Sequence, residues 1–139
     1  MVLKVKAVAI VLVLASLAVA QEYAAKFPGD PARSNSEAAA LGYMRVVVNA
    51  QREYKKRHNT YATSLTGLVG QGSFTKRMTD PNRGDYLARF KSSGKDFSLS
   101  MTPKAQIDAT HRAFIVDERG TIRAEEEKAA TAESQAVKR

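Results

Sequence analysis

Two histidines, a run of three glutamates and one turn rich in oxygen donors are the residues of this chain whose types could carry chemistry. His58 follows the basic triple Lys55, Lys56 and Arg57, and His111 lies in a polar stretch ahead of an apolar run. A hydrolytic centre needs a nucleophile, a base within reach of it and a group that orients the base. Neither histidine stands in a motif that supplies such partners. His58 reads as a helix C-terminal residue that complements the helix dipole, and His111 as a surface loop residue. Glu125 to Glu127 have no apolar shell to tune their ionisation and read as solvated charge. Asp80, Asn82 and Asp85 space oxygen donors within a turn and constitute the one metal idea, a calcium site. Their spacing is not that of the twelve-residue calcium loop, and no bidentate glutamate follows; the plain reading is an Asp-Pro-Asn turn. Arg83, Gly84 and Asp85 spell an integrin-binding tripeptide, too short a match to carry a function. The absence of cysteine excludes disulfides, thiol nucleophiles, iron-sulfur clusters and cysteine-ligated zinc together. The expectation is a protein without catalysis and without a cofactor.

Charge offers a second kind of chemistry. The chain of 139 residues carries a net charge of +8, with 44% apolar and 26% charged residues, which fits one globular domain. Such a surplus favours acidic partners without specifying a fold. The bases are scattered along the chain, and Lys55, Lys56 and Arg57 form the one triple, so these three are the expected contacts for an anionic ligand. No recognition-helix or aromatic-and-basic nucleic-acid motif accompanies them.

The elements that must position these groups follow from periodicity. Residues 1–20 have Lys4 and Lys6, an apolar run from Ala7 to Leu17 broken by Ser16, and the small residues Ala18 and Ala20 before Gln21. This is the three-part pattern of a Sec signal peptide cleaved between Ala20 and Gln21. Fourteen apolar residues are short of the roughly 20 that a spanning helix needs. The expectation is export to the periplasm or the medium with no membrane span after removal of the signal; retention as a short anchor is the alternative. Residues 21–33 contain Pro28, Gly29 and Pro31 and read as a flexible leader.

Ser34 and Glu37 form a capping box that opens a helix. Leu41, Met44, Val47 or Val48, Gln51 and Tyr54 recur at three- and four-residue spacing on one face as far as His58, and Arg45, Asn49, Arg52 and Lys56 line the other. After a short turn bearing Leu65 and Leu68 and a polar loop over residues 71–84, the period changes to two. Tyr86 to Lys91, Phe97 to Thr102, Ala113 to Val116 and Thr121 with Ile122 read as strands joined by hairpin-length turns. The fold expected for residues 34–123 is α+β, one long amphipathic helix on a three- to four-stranded antiparallel sheet. Tyr54, Tyr61, Tyr86, Phe90, Phe97 and Phe114 fall on inward faces and read as core in preference to a ligand groove. Residues 124–139 hold only alanines and Val137 as apolar residues and read as a solvated tail.

In this order of elements the chain resembles the globular domains of type IV pilin-like and type II secretion pseudopilin-like proteins, over residues 36–123. The likeness rests on Asn59, Tyr61, Ser64, Leu65 and Leu68 after the helix, and on Phe114, Val116, Asp117, Gly120, Ile122 and Arg123 in the final hairpin. "TDPNRGDY", residues 79–86, is similar to a stretch of the major pseudopilins. These are packing and turn signatures. The polymerising members carry a basic leader ending in Gly, then Phe and Glu in a continuous apolar helix; here Ala20, Gln21 and a Pro-broken spacer stand instead. The resemblance implies a pilin-like interaction or scaffolding protein of the cell envelope that docks on another envelope protein. The alternative is a soluble module that binds DNA or an acidic polysaccharide.

Overall fold

The computed structural model describes residues 22–137. The signal-peptide residues Ala18, Ala20 and Gln21 lie outside them. One α-helix, α1 (Asn35–His58), packs on an antiparallel sheet of six strands: β1 (Asn82–Arg83), β2 (Tyr86–Ser92), β3 (Phe97–Pro103), β4 (Ala113–Asp117), β5 (Arg123–Glu125) and β6 (Gln135–Ala136). The strands follow one another in space as in sequence, a plain meander. Among the described residues no helix is long and apolar enough to cross a membrane.

The α+β class holds, but the sheet has six strands where three to four were expected. The extra strands are too short to show a period. β1 is two residues folded back at the Gly84–Asp85 turn, where Asn82 faces Leu87 and Arg83 faces Tyr86. The last hairpin is shifted: β5 covers Arg123–Glu125 in place of Thr121 and Ile122, and pairs onward with β6 from the tail. The tail is held by polar bonds, with little help from burial of apolar surface. Ser134, 3% exposed, donates through Oγ to Glu125 (2.8 Å), and its carbonyl accepts from Arg123 Nη1 (2.8 Å). Residues 22–33, expected as a flexible leader, carry a network of their own. The Asp30 carboxylate accepts from the Tyr23 hydroxyl and from the backbone N–H groups of Lys26 and Ala32.

α1 begins with one half of its expected capping box: the Glu37 N–H donates to Ser34 Oγ at 3.1 Å, whereas the Glu37 carboxylate takes the Arg33 N–H in place of that of Ser34. It ends at Asn59, whose φ of 59° is left-handed and whose N–H reaches the Lys55 carbonyl. Leu41, Met44 and Val47 on its inner face are fully buried, as are Tyr86, Leu99, Met101 and Phe114 on the facing side of the sheet. Each such side chain removed from water contributes about 1.5–3 kcal/mol. β3 shows the alternation cleanly: Phe97, Leu99 and Met101 are buried, while Ser98, Ser100 and Thr102 are half-buried on the opposite face. Tyr54 and Phe90 are only half-buried at the margin of the core. Two aromatic residues widen the core beyond the expected stripe. Tyr43 is buried with its hydroxyl on the Met78 carbonyl (2.9 Å), and Phe74, from the polar loop, packs beside it at 6.5 Å.

Behind α1, Ala62 and Leu68 close the core as a lid. Gln51, fully buried, holds the lid: its Nε2 donates to the Ala62 carbonyl (3.0 Å) and its Oε1 accepts the Ala62 N–H (2.8 Å). The β2–β3 turn tucks under the same segment. Gly94 has φ +87°, and a side chain there would meet Thr60 Oγ1 at 2.8 Å, so glycine is required twice over.

Candidate functional site

The charged groups separate into those the fold consumes and those it leaves free. Glu37 is consumed. Its carboxylate is fully buried and accepts from the Arg112 N–H (2.9 Å), from Arg112 Nε and Nη2 (2.8 Å for the latter to Oε1), and from the Arg33 N–H (3.0 Å). Arg112 Nη2 also donates to the Pro31 carbonyl (2.9 Å), and the Arg112 carbonyl accepts the Tyr86 hydroxyl (2.8 Å). Burial, with the Glu37 charge nearby, raises the Tyr86 phenol well above its ordinary range. The pair thus fastens the start of α1 to β4 and to the segment before the helix. Glu37 was legible as a cap; its partner, 75 residues away, was not.

The second cluster joins His111 to both aspartates near it. His111 Nε2 lies 3.2 Å from Asp85 Oδ2, and Nδ1 lies 3.4 Å from Asp108 Oδ1. The Ser36 hydroxyl donates to Asp85. These hydrogen bonds hold the Asp85 carboxyl below the usual carboxylate range, the one from Ser36 most and that from His111 next; the Thr110 N–H does the same for Asp108. The hydroxyl therefore meets a weakly basic carboxylate, not the imidazole, and the cluster ties α1 to the β1–β2 turn and the loop before β4.

This geometry also accounts for the calcium idea. Asp80 Oδ1 accepts from the N–H and Nδ2 of Asn82 (2.9 and 3.2 Å), whereas Asp85 turns to Ser36 and His111. The three side chains are engaged separately. Among the described residues no group of three or more His, Asp or Glu could hold a metal ion. Arg83 lies over the Tyr43 ring at 4.5 Å, so the tripeptide Arg83–Gly84–Asp85 is spread over different contacts. The His58 ring lies tilted against that of Tyr54, centroids 4.2 Å apart. Glu125 accepts from Ser134 and Glu126 pairs with Arg33.

The basic triple diverges, as consecutive helical residues must at about 100° each. Lys55 Nζ sits 4.5 Å above the Tyr61 ring, Lys56 pairs with Glu53 at 3.2 Å, and Arg57 faces solvent. Arg45 and Arg52 share a face, and they stand on the rim of a cleft of about 540 Å³ between α1 and the β4–β5 turn. Its floor is Leu41, Val48, Ile122 and Val137. Arg45 covers the Phe27 ring at 5.5 Å. Arg52 lies across Gly120, its Nη2 2.6 Å from where a β-carbon would stand, and Gly120 has φ +79°. Neither arginine has a carboxylate within ion-pair distance among the described residues. Asp30, in the segment before α1, has its carboxylate occupied by Tyr23, Lys26 and Ala32. The alternation of Arg45 and Arg52 opposite the apolar stripe was readable in the sequence. That a turn from the far end of the chain would wall them into a cleft was not.

Comparison with protein-family models, with curated proteins and with solved structures returns no match.

Proposed function

We propose that this chain is an exported, non-catalytic interaction protein of the cell envelope, pilin-like in its helix-then-meander order, that docks an acidic protein partner in the cleft beside α1. One observation carries the reading: two guanidinium groups without carboxylate partners among the described residues flank an apolar floor at the cleft. Arginines in this position form charge-assisted, bidentate bonds to carboxylates. The sheet edges are poorer docking sites, because β1 and β6 are two residues each and offer little backbone for an added strand.

A second reading, a soluble module for DNA or an acidic polysaccharide, is favoured by continuity of the basic surface. Arg52 also borders a neighbouring hollow of about 630 Å³ lined by Lys55 and Lys56. Photo-crosslinking in the cells that make the protein separates the two. A crosslinker at Thr121, exposed in the cleft, is expected to give a protein adduct that one at Ser100, on the opposite sheet face, does not. Adducts removed by nuclease or glycosidase would favour the second reading, and no adduct from position 121 would overturn the first.

A further inference from the structure

The spacing of the two free arginines restricts what fits between them. Arg45 and Arg52 are seven residues apart, just under two helical turns, so they project from one side of α1 about 10.5 Å apart along its axis. Phe27 supports one guanidinium and Gly120 the other, which limits how far either can swing. Val48 lies between them on the helix, and Ile122 and Val137 face it across the cleft. An occupant that satisfies both arginines presents two anionic groups about 10 Å apart, with an apolar group between them.

Backbone geometry selects among peptides. In a β-strand the residues of one face recur every second position, about 6.6 or 13 Å apart, and match the arginines poorly. Two turns of α-helix also match in length, but a helix keeps its backbone groups in its own hydrogen bonds, and it is the rival occupant that the titration below separates. A polyproline II segment returns to the same face every third residue, about 9.3 Å on, with its backbone free of internal hydrogen bonds. We propose that the cleft binds an extended acidic segment of this kind, with carboxylates three residues apart and an apolar side chain between them seated on Val48 and Ile122. The proposal rests on the reading of the cleft as a protein-docking site.

The test titrates the full chain with fluorescein-labelled Pro-Glu-Leu-Pro-Glu-Leu-Pro. The comparison ligands are the isomer Pro-Leu-Glu-Glu-Leu-Pro-Pro, an alanine-based helical peptide with glutamates seven apart, and a 20-nucleotide single strand. The spaced peptide is expected to bind about fivefold or more tightly than its isomer, and to weaken as salt rises. Arg45→Ala and Arg52→Ala are each expected to weaken it by about three- to tenfold, with unchanged unfolding midpoints. Equal binding of the isomers, tighter binding of the helical peptide or the oligonucleotide, or wild-type affinity in both alanine variants would overturn the proposal. A protein adduct from position 121 combined with equal binding of the isomers leaves the docking reading standing and removes this one.

Discussion

At the start of α1, Arg112 is 7% exposed and spends its guanidinium on Glu37 and the Pro31 carbonyl; four turns further along the same helix, Arg52 is exposed and rests on a glycine, with no ion-pair partner among the described residues. The two arginines differ in solvation before they differ in anything else. Burying the first required a partner for nearly every donor, because an uncompensated charge in a dry site costs several kcal/mol. Leaving the second at the rim of a cleft costs little, since water serves it until an anion arrives. The contrast separates charge that specifies the fold from charge that is available for recognition. Net charge alone could not, because it counts both alike.

The largest test of that contrast removes Arg112. Arg112→Ala leaves the Glu37 carboxylate buried with only the Arg33 and Arg112 backbone N–H groups. It is expected to cost about 3–5 kcal/mol in denaturant unfolding, against no more than about 0.5 kcal/mol for Arg52→Ala. Similar losses for the two variants would break the comparison. A smaller and closer test uses adjacent residues. Gln51 points inward to both backbone groups of Ala62 while Arg52 points out. Gln51→Leu keeps the volume but strands a buried N–H and C=O, and is expected to destabilise by about 2–3 kcal/mol without changing affinity for the acidic peptide.

Local signals were well written in the sequence, and distant pairings were not. The Ser34 cap, the stripe of Leu41, Met44, Val47 and Gln51, and the alternation of Phe97, Leu99 and Met101 are set by neighbours three, four or two residues away, so periodicity exposes them. The six-strand sheet was missed because β1, β5 and β6 are held by backbone pairing and by polar side chains such as Arg123 and Ser134, neither of which leaves a hydrophobic period. Phe74 was hidden for a related reason, being one apolar residue in a polar loop. The site divides the same way. The exposed row of Arg45 and Arg52 was legible; Lys55, Lys56 and Arg57 were legible as a basic triple, but not that Lys55 would lie over Tyr61 and Lys56 on Glu53 while both border one hollow. The Glu37–Arg112 and Asp85–His111 pairings depend on the tertiary path and had no local signature.

Between the two extremes lies the Asp85–Asp108 cluster, where hydrogen bonds shift ionisation although the side chains remain in contact with water. Ser36 and then His111 stabilise the charged form of Asp85, and Thr110 first of all that of Asp108; Lys104 and His111 are the cationic or titratable neighbours. Both carboxyls therefore have folded-state pKa values below their unfolded ones, which lie near 3.9. A depressed carboxyl contributes stability that is complete above its unfolded pKa and disappears as pH falls through its folded pKa. The contribution should be constant from about pH 5 upward and fade below about pH 4. Asp85→Asn combined with Asp108→Asn is expected to lower the unfolding midpoint slightly at pH 6 and to narrow the gap from wild type by pH 3. Because both groups are solvated, the effect should be smaller than that of Arg112→Ala or Gln51→Leu, and it should shrink in added salt. A gap that stays constant across this range would mean that the aspartates act as turn-formers through their geometry alone. The cluster would then stand with Glu37 as fold-specifying, with no charge-dependent role left to it.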